Sequence, residues 1–182
     1  MEKPALFLDR DGVINVNYGY VHQKQNFVFI DGIFDLVREA NKLGYLVVVI
    51  TNQAGIGRGF YSENDFLGLT EWMKQEFLIR NAKIDAVYFC PHHPTEGIGK
   101  FKQDCVCRKP KPGMFLQAIN ELNLDTYNSV MVGDSESDLI ASRLSGIRYN
   151  LLYSVGRQHE DFVIHSLNEA ANYFLGSIQD AL

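Results

Sequence analysis

The sequence contains few cysteines, few prolines and no apolar stretch long enough to cross a membrane. Its 182 residues include only 3 Cys, 5 Pro and 1 Trp. No apolar run approaches the roughly 18 residues that a membrane-spanning helix needs. The residues that precede the first apolar run also lack the apolar segment of a signal peptide. We therefore expect a cytoplasmic protein that does not bind membranes.

Positive charge is also scarce, with 17 Lys and Arg against 22 Asp and Glu and a formal net charge of -5. This balance argues against a general nucleic-acid binder, because such proteins present basic surfaces to phosphate groups. The 182 residues, of which 46% are hydrophobic, suffice for one folded core. No repeat, low-complexity tract or linker divides them, so we predict a single domain over residues 1–182. No exposed apolar stripe indicates obligate assembly, and we expect a monomer.

Two aspartates follow the first apolar run directly. Residues 5–8 have the character of a buried strand, and the chain continues as Asp9-Arg10-Asp11-Gly12. In α/β folds the carboxyl ends of the strands carry the ligand site. A carboxylate pair at such an end suits Mg²⁺, and one aspartate could also attack an electrophile covalently. The alternative is a simple turn, since Asp and Gly both favour turns.

Three later segments extend this pattern. The apolar run 45–50 ends in Thr51-Asn52-Gln53, Arg108-Lys109 supplies cations beside two prolines, and the run 130–132 ends in Gly133-Asp134. The strand ends and loops therefore offer an acid pair, hydroxyl and amide groups, cations and a further acid. Such a set suits phosphoryl transfer, in which metal ions and cations neutralise the charge of the transition state.

The order of elements predicts an α/β fold, a Rossmann-like and mostly parallel sheet with helices on both faces. We predict strands at residues 5–8, 45–51, 84–90, 129–132 and 149–152. We predict helices at residues 31–43, 62–80, 113–122 and 137–144, with Asp31 and Ser62 as N-caps of the first two and a last helix that opens at Ser166. Gly44 should end the first helix, and the glycine-rich stretch 54–59 should form a loop. Only about 20 residues separate Asp11 from the first helix, too few for a separate cap domain, so loops should cover the site.

All three cysteines lie in two closely spaced pairs with a histidine. Cys90-Pro91-His92-His93 precedes Cys105-Val106-Cys107. Three thiolates and one imidazole form a closed tetrahedral set for structural Zn²⁺. The alternative is three buried thiols. We predict a zinc-ordered loop over residues 90–107, with either His92 or His93 as the imidazole ligand.

In these motifs the chain resembles the haloacid dehalogenase-like phosphohydrolases. The stretches 7–15, 19–21, 51–53 and 107–110 resemble more closely the heptose-bisphosphate phosphatases, to which the histidinol-phosphatases are near relatives. The resemblance runs from about Ala5 to about Asp138. It implies zinc ligands Cys90, His92, Cys105 and Cys107, and so favours His92 over His93.

The resemblance implies a mechanism through an aspartyl-phosphate. We expect Asp9 to be the nucleophile and Asp11 the general acid and base, while Thr51 and Lys109 hold the transferring oxygens. Mg²⁺ is expected on Asp9, the backbone carbonyl of Asp11, and Asp134. Asp138 should either contact the metal shell indirectly or orient Lys109.

The resemblance also implies a small anionic sugar bisphosphate as substrate. The expected contacts are Asn17, Tyr18, Gly19, Tyr20, Thr51, Asn52, Gln53, Ala54, Arg108 and Lys109. Arg108 would meet the phosphate that is not cleaved. The expected reaction is Mg²⁺-dependent removal of the C7 phosphate of D-glycero-D-manno-heptose 1,7-bisphosphate, the alternative being histidinol phosphate. Ser135 stands where close relatives often have lysine, which leaves a substrate contact at that position open.

Overall fold

The computed structural model describes residues 2–154 and 163–171, and its centre is a parallel β-sheet. The strands are β1 (Lys3–Leu8), β2 (Leu46–Asn52), β3 (Ala86–Cys90), β4 (Leu124–Gly133), β5 (Tyr149–Tyr153) and β6 (Val163–Ile164). The helices are α1 (Ile33–Lys42), α2 (Ala54–Gly57), α3 (Glu63–Ile79), α4 (Gly113–Leu122) and α5 (Glu136–Leu144). The strands lie in the order β3-β2-β1-β4-β5-β6, and each adjacent pair is parallel. This sheet confirms the predicted α/β class.

Both faces of the sheet are covered by helices, as predicted. Side chains of β1 alternate between the faces, so that Leu6 and Leu8 join one buried cluster while Ala5 and Phe7 join the other. The first cluster includes residues of α1 and α3, namely Leu36, Val37, Leu69, Met73 and Phe77. The second includes residues of α4 and α5, namely Met114, Phe115, Ala118 and Ala141. Because residues 5–8 of β1 are buried on both faces of the sheet, this part of the strand is a continuous apolar run.

The two predicted helix caps differ in outcome. Ser62 caps α3 as expected: its Oγ accepts a hydrogen bond from the Asp65 N–H at 3.1 Å, and the Asp65 carboxylate accepts one from the Ser62 N–H at 2.8 Å. The prediction that Asp31 caps α1 is wrong. The N-cap is Gly32, whose left-handed φ of 82° turns the chain one residue later. At the other end Gly44, also with φ 82°, ends α1 as predicted.

Three further elements differ from the sequence expectations. Strand β4 begins at Leu124 rather than at residue 129, and its pairing with β1 shifts between Pro4 and Leu6. At this irregularity the Ser129 hydroxyl accepts a hydrogen bond from the Ala5 N–H at 2.9 Å, which replaces a backbone partner. The predicted loop at residues 54–59 contains one helical turn, α2. The short β6 was not predicted from the sequence.

The last helix starts where the sequence indicated. The Ser166 hydroxyl accepts a hydrogen bond from the Glu169 N–H at 3.3 Å, and residues 167–171 are helical. Its continuation lies outside the described residues. Among the described residues, no helix is both long and apolar enough to cross a membrane.

The strand order creates a crevice beside β1. From β1 the chain builds β2 and β3 on one side, then crosses back to form β4 on the other side of β1. Such a switch point leaves a gap at the carboxyl ends of the two central strands, where open α/β sheets bind ligands. The fold therefore brings residues 9–12, 51–53 and 133–134 to one edge.

Candidate active site

A buried lysine lies at the centre of this edge. The Lys109 ammonium is 2.9 Å from Asp9 Oδ1 and 2.6 Å from Asp138 Oδ1. It also donates a hydrogen bond to the Ile50 carbonyl at 2.7 Å. Only 2% of the Lys109 side chain is exposed. Burial alone would lower the pKa of Lys109, but the two carboxylates outweigh burial and raise it, so the side chain stays charged.

The end of β2 fixes the backbone of Lys109. The Asn52 side chain accepts a hydrogen bond from the Lys109 N–H at 3.1 Å and donates one to the Lys109 carbonyl at 3.2 Å. This two-way pairing holds the loop before α4 against the sheet. Asn52, expected to contact substrate, thus also positions Lys109.

Three carboxylates gather beside this ammonium. One oxygen each from Asp9, Asp134 and Asp138 lies within 4.8 Å of the others. Burial is the main cause that raises the pKa of Asp9, with the charges of Asp138 and Asp134 adding to it. Burial and the Asp138 charge raise the pKa of Asp134 to about 6. These residues fit a divalent cation with oxygen ligands, because in the described part of the chain Lys109 is the one ammonium that pairs with this group of three carboxylates.

The α5 N-terminus holds Asp138 in place. Asp138 Oδ2 accepts hydrogen bonds from the Ser135 hydroxyl at 2.7 Å and from the Ser135 N–H at 3.1 Å. The other oxygen, Oδ1, pairs with Lys109. Two roles were considered for Asp138: an indirect contact with the metal shell, and the orientation of Lys109. The second has a direct contact in the structure. Ser135 serves as the N-cap of α5.

The second aspartate of the first motif lies in a separate hydrogen-bonded setting. Asp11 accepts hydrogen bonds from Arg10 at 2.7 to 3.0 Å, from Asn15 Nδ2 at 3.0 Å and from Gln53 Nε2 at 3.0 Å. The cluster of three carboxylates does not include the Asp11 side chain. The two aspartates of the motif therefore meet different cations: Lys109 pairs with Asp9, and Arg10 pairs with Asp11.

The orientation of the Gln53 amide follows from its neighbours. Tyr61 donates a hydrogen bond to Gln53 Oε1 at 2.6 Å, and burial raises the pKa of Tyr61 to about 12, which keeps this hydroxyl protonated. The amide NH₂ then faces Asp11 and the Thr51 hydroxyl, the latter at 2.8 Å. Because Thr51 Oγ1 accepts this bond, its own proton is available to another acceptor.

The other predicted contact residues lie on the surrounding loops. The segment 17–20 is exposed, and Arg58 donates a hydrogen bond to the Tyr20 hydroxyl at 2.5 Å, which ties this segment to the chain after α2. Ala54 is the first residue of α2. Arg108 donates a hydrogen bond to the His92 carbonyl at 3.2 Å.

The cysteines and one histidine form a second cluster. The Sγ atoms of Cys90, Cys105 and Cys107 lie 3.0 to 3.4 Å apart as free thiols, and His92 Nδ1 is 3.3 Å from Cys107 Sγ. Nδ1 of His93 instead accepts a hydrogen bond from the Glu96 N–H at 3.0 Å. Three sulfurs and one imidazole nitrogen at mutual contact can hold a metal ion. The structure thus brings His92 rather than His93 to the cluster.

Known proteins are similar to this chain in sequence and in fold. The D-glycero-beta-D-manno-heptose-1,7-bisphosphate 7-phosphatase of Vibrio cholerae serotype O1 is 46% identical over 182 residues, covering 96% of this chain and 98% of the relative. The D-glycero-alpha-D-manno-heptose-1,7-bisphosphate 7-phosphatase of Burkholderia mallei is 55% identical over 152 residues, covering 84% of this chain and 80% of the relative.

The chain belongs to the heptose-bisphosphate phosphatase family. A family model described as HAD-hydrolase-like, for haloacid dehalogenase-like, also matches residues 106–181. A crystal structure of D,D-heptose 1,7-bisphosphate phosphatase from B. bronchiseptica, complexed with magnesium and phosphate, superposes with a TM-score of 0.83 at 25% identity, covering 96% of this chain and 99% of the other. As a member of this family, the protein is a phosphoric monoester hydrolase, which confirms the predicted enzyme class.

Two buried side chains that contact Asp11, those of Arg10 and Asn15, were not predicted from the sequence. Arg10 is 1% exposed and Asn15 is fully buried, although charged and amide side chains usually remain at the surface. Tyr61, the partner of Gln53, was also not predicted. One signal was present for Arg10, because it stands between two aspartates in a run that is otherwise apolar.

The close approach of Gly12 to Asp134 yields a first prediction. Gly12 has φ +100°, and a Cβ there would lie 1.9 Å from Asp134 Oδ2. Gly12→Ala should therefore displace the Asp134 carboxylate and reduce kcat/KM for phosphate release at least about tenfold. Gly68→Ala is the matched control, because a Cβ at this site in α3 meets nothing within 4 Å. The control should keep full activity, and full activity in Gly12→Ala would contradict the argument.

Proposed function

We propose that this enzyme removes the C7 phosphate of D-glycero-D-manno-heptose 1,7-bisphosphate, in the formation of nucleotide-activated heptose for lipopolysaccharide cores. The observation that carries the proposal is the 46% identity to the Vibrio cholerae enzyme across nearly the full length of both chains. The arrangement of Asp9, Lys109 and Asp138 at the switch point supports the same chemistry. No observation favours histidinol phosphate, the alternative considered from the sequence.

The proposed reaction has two displacements at phosphorus. Asp9 attacks, forming its O–P bond as the sugar C7 oxygen departs with a proton from Asp11. The Asp11 carboxylate then takes a proton from water, whose oxygen attacks the aspartyl-phosphate and releases Asp9 and inorganic phosphate. Lys109 and the available hydroxyl proton of Thr51 hold the transferring oxygens. Asp138 keeps Lys109 in place.

We propose Mg²⁺ as the cofactor of this reaction. Asp9 and Asp134 would hold the ion with the backbone carbonyl of Asp11, since their carboxylates lie in one group at the mouth of the crevice. The ion would supply positive charge that offsets repulsion between the carboxylate nucleophile and the phosphate.

Substrate recognition is proposed for the loops around the crevice. The contacts would come from residues 17–20, from residues 51–54 and from Arg108, which would bind the phosphate that is retained. A second anionic group on the substrate would explain a preference for a bisphosphate over a monophosphate. We also propose that the chain acts as a single domain, as a monomer, and in the cytoplasm.

The second proposed metal is a structural Zn²⁺ on Cys90, His92, Cys105 and Cys107. Four protein ligands would leave no position for a reactive water, so the ion would order the loop without taking part in the reaction. Because Arg108 and Lys109 follow Cys107 directly, the same ion would position the cations of the active site.

Substrate preference provides the test of the proposed function. We expect Mg²⁺-dependent kcat/KM at least about 100-fold higher for a heptose 1,7-bisphosphate than for histidinol phosphate. The α and β anomers should be measured separately, because the relatives of this chain include enzymes named for each anomer. A higher kcat/KM for histidinol phosphate would overturn the proposed substrate while leaving the phosphatase chemistry in place.

Asp9 and Asp11 can be tested separately through the leaving group. Asp11→Asn should slow release of C7 phosphate from the sugar by about 10²–10⁴-fold, the usual contribution of a general acid. The same variant should still form a phosphoenzyme from p-nitrophenyl phosphate, whose leaving group needs no proton. Asp9→Asn should form none from either substrate. Rapid-quench measurement of labelled enzyme checks both, and a phosphoenzyme in Asp9→Asn would exclude Asp9 as nucleophile.

The zinc proposal can be tested with two adjacent histidines. His92→Ala should lower the bound zinc well below one ion per chain and lower Tm, because it removes a donor from the cluster. His93→Ala should retain about one zinc per chain, because His93 lies outside the cluster and its Nδ1 accepts a hydrogen bond from the Glu96 N–H. Elemental analysis of the purified variants measures this, and the reverse result would assign the imidazole to His93.

A further inference from the structure

Arg10 is the largest of the fully buried side chains, and its guanidinium lies inside the loop that joins β1 to α1. It is flanked by the rings of Phe27 and Phe66, at 5.9 and 5.6 Å from their centroids. A buried charge is costly unless it is paired and hydrogen-bonded. Among the described residues, the ion-pair partner of Arg10 is Asp11. The pair is therefore required wherever Arg10 is buried.

This pair restricts how the Asp11 carboxylate can turn. Arg10 Nε donates to Asp11 Oδ2 at 3.0 Å, and Arg10 Nη2 donates to Oδ2 at 2.7 Å and to Oδ1 at 2.8 Å. Asn15 adds a donor to Oδ1, and Gln53 adds one to Oδ2. A planar guanidinium that contacts both oxygens fixes the plane of the carboxylate as well as its distance.

The same guanidinium connects Asp11 to the loop that covers the site. Arg10 Nη2 also donates to the Val21 carbonyl at 2.7 Å, and Phe27 lies on the same loop. Val21 directly follows the segment 17–20 proposed to contact the sugar. The position of Asp11 is therefore linked through one side chain to the loop that would bind substrate.

From this geometry we propose that Arg10 is a positioning residue, which holds Asp11 in the orientation that delivers a proton to the departing sugar oxygen. The inference rests on the proposed function, in which Asp11 is the general acid. A lysine at this position would keep the positive charge but lose the contact through two nitrogens. The orientation of the Asp11 carboxylate would therefore change more than the charge balance. Arg10 itself need not touch the substrate.

The experiment compares two leaving groups in single-turnover phosphoryl transfer. The heptose bisphosphate releases an alkoxide that needs a proton, whereas p-nitrophenyl phosphate releases a phenolate that does not. In Arg10→Lys and Arg10→Met we expect the rate with the sugar to fall about 10–100-fold, and the rate with p-nitrophenyl phosphate to stay within about threefold. The ratio of the two rates is the readout, because a general loss of structure lowers both.

Arg80→Lys and Arg80→Met are the matched controls. Arg80 pairs with Glu76 one helical turn away on α3, and 41% of its side chain is exposed, so both variants should leave the ratio unchanged. The increase of Tm on adding Mg²⁺ should persist in Arg10→Lys, because the proposed ligands, Asp9, Asp134 and the backbone carbonyl of Asp11, are not substituted. Should Arg10→Met fail to fold, Arg10→Lys carries the test alone.

Two results would count against the inference. An unchanged ratio in Arg10→Lys, whether both rates are kept or both fall equally, would reduce Arg10 to a structural role. If Asp11→Asn changes the ratio and Arg10→Lys does not, only the positioning role fails. If Asp11→Asn itself leaves the ratio unchanged, the general-acid assignment fails and the inference falls with it.

Discussion

The rest of the site depends on the buried ammonium of Lys109. Four separate segments meet there: the residue after β1 is Asp9, β2 contributes the Ile50 carbonyl, α5 contributes Asp138, and the loop before α4 contributes the lysine itself. An ammonium that is 2% exposed would cost several kcal/mol without these partners. The charge therefore fixes the relative position of the strand ends, and the same contacts that hold the fold together leave Asp9 facing the crevice.

Negative charge exceeds positive charge in this cluster, and the excess links stability to function. Burial raises the pKa of Asp9 and Asp134 above the ordinary value of 3.8. The folded protein then binds more protons than the unfolded chain between the ordinary and the raised pKa, so stability falls as the pH rises through that window. Above it, the ionised carboxylates remain a destabilising feature of the metal-free fold. The proposed cation site is built at this cost in stability, and cation binding would recover it.

The sequence predicted the parts of the site that depend on local pattern. Asp9 and Thr51 follow from apolar runs that end at one edge of a parallel sheet, and the cysteine cluster follows from the spacing of its pairs. The features that were not predicted depend on contacts between residues far apart in the sequence. Burial of Arg10 requires the rings of Phe27 and Phe66, which no local pattern connects to it. The early start of β4 requires the Ser129 hydroxyl to replace a backbone partner of β1, and β6 is only two residues long.

The first motif assigns different cations to two aspartates that are one residue apart. Asp9 pairs with Lys109, which comes from the loop after the cysteines, while Asp11 pairs with its own neighbour Arg10. Two carboxylates that shared one cation would be coupled, so that a proton gained by one would change the pKa of the other. A nucleophile must stay unprotonated while the acid beside it gives up and regains a proton. Separate cations allow the two aspartates to play these different roles. Arg10, the residue between them, provides the cation for Asp11.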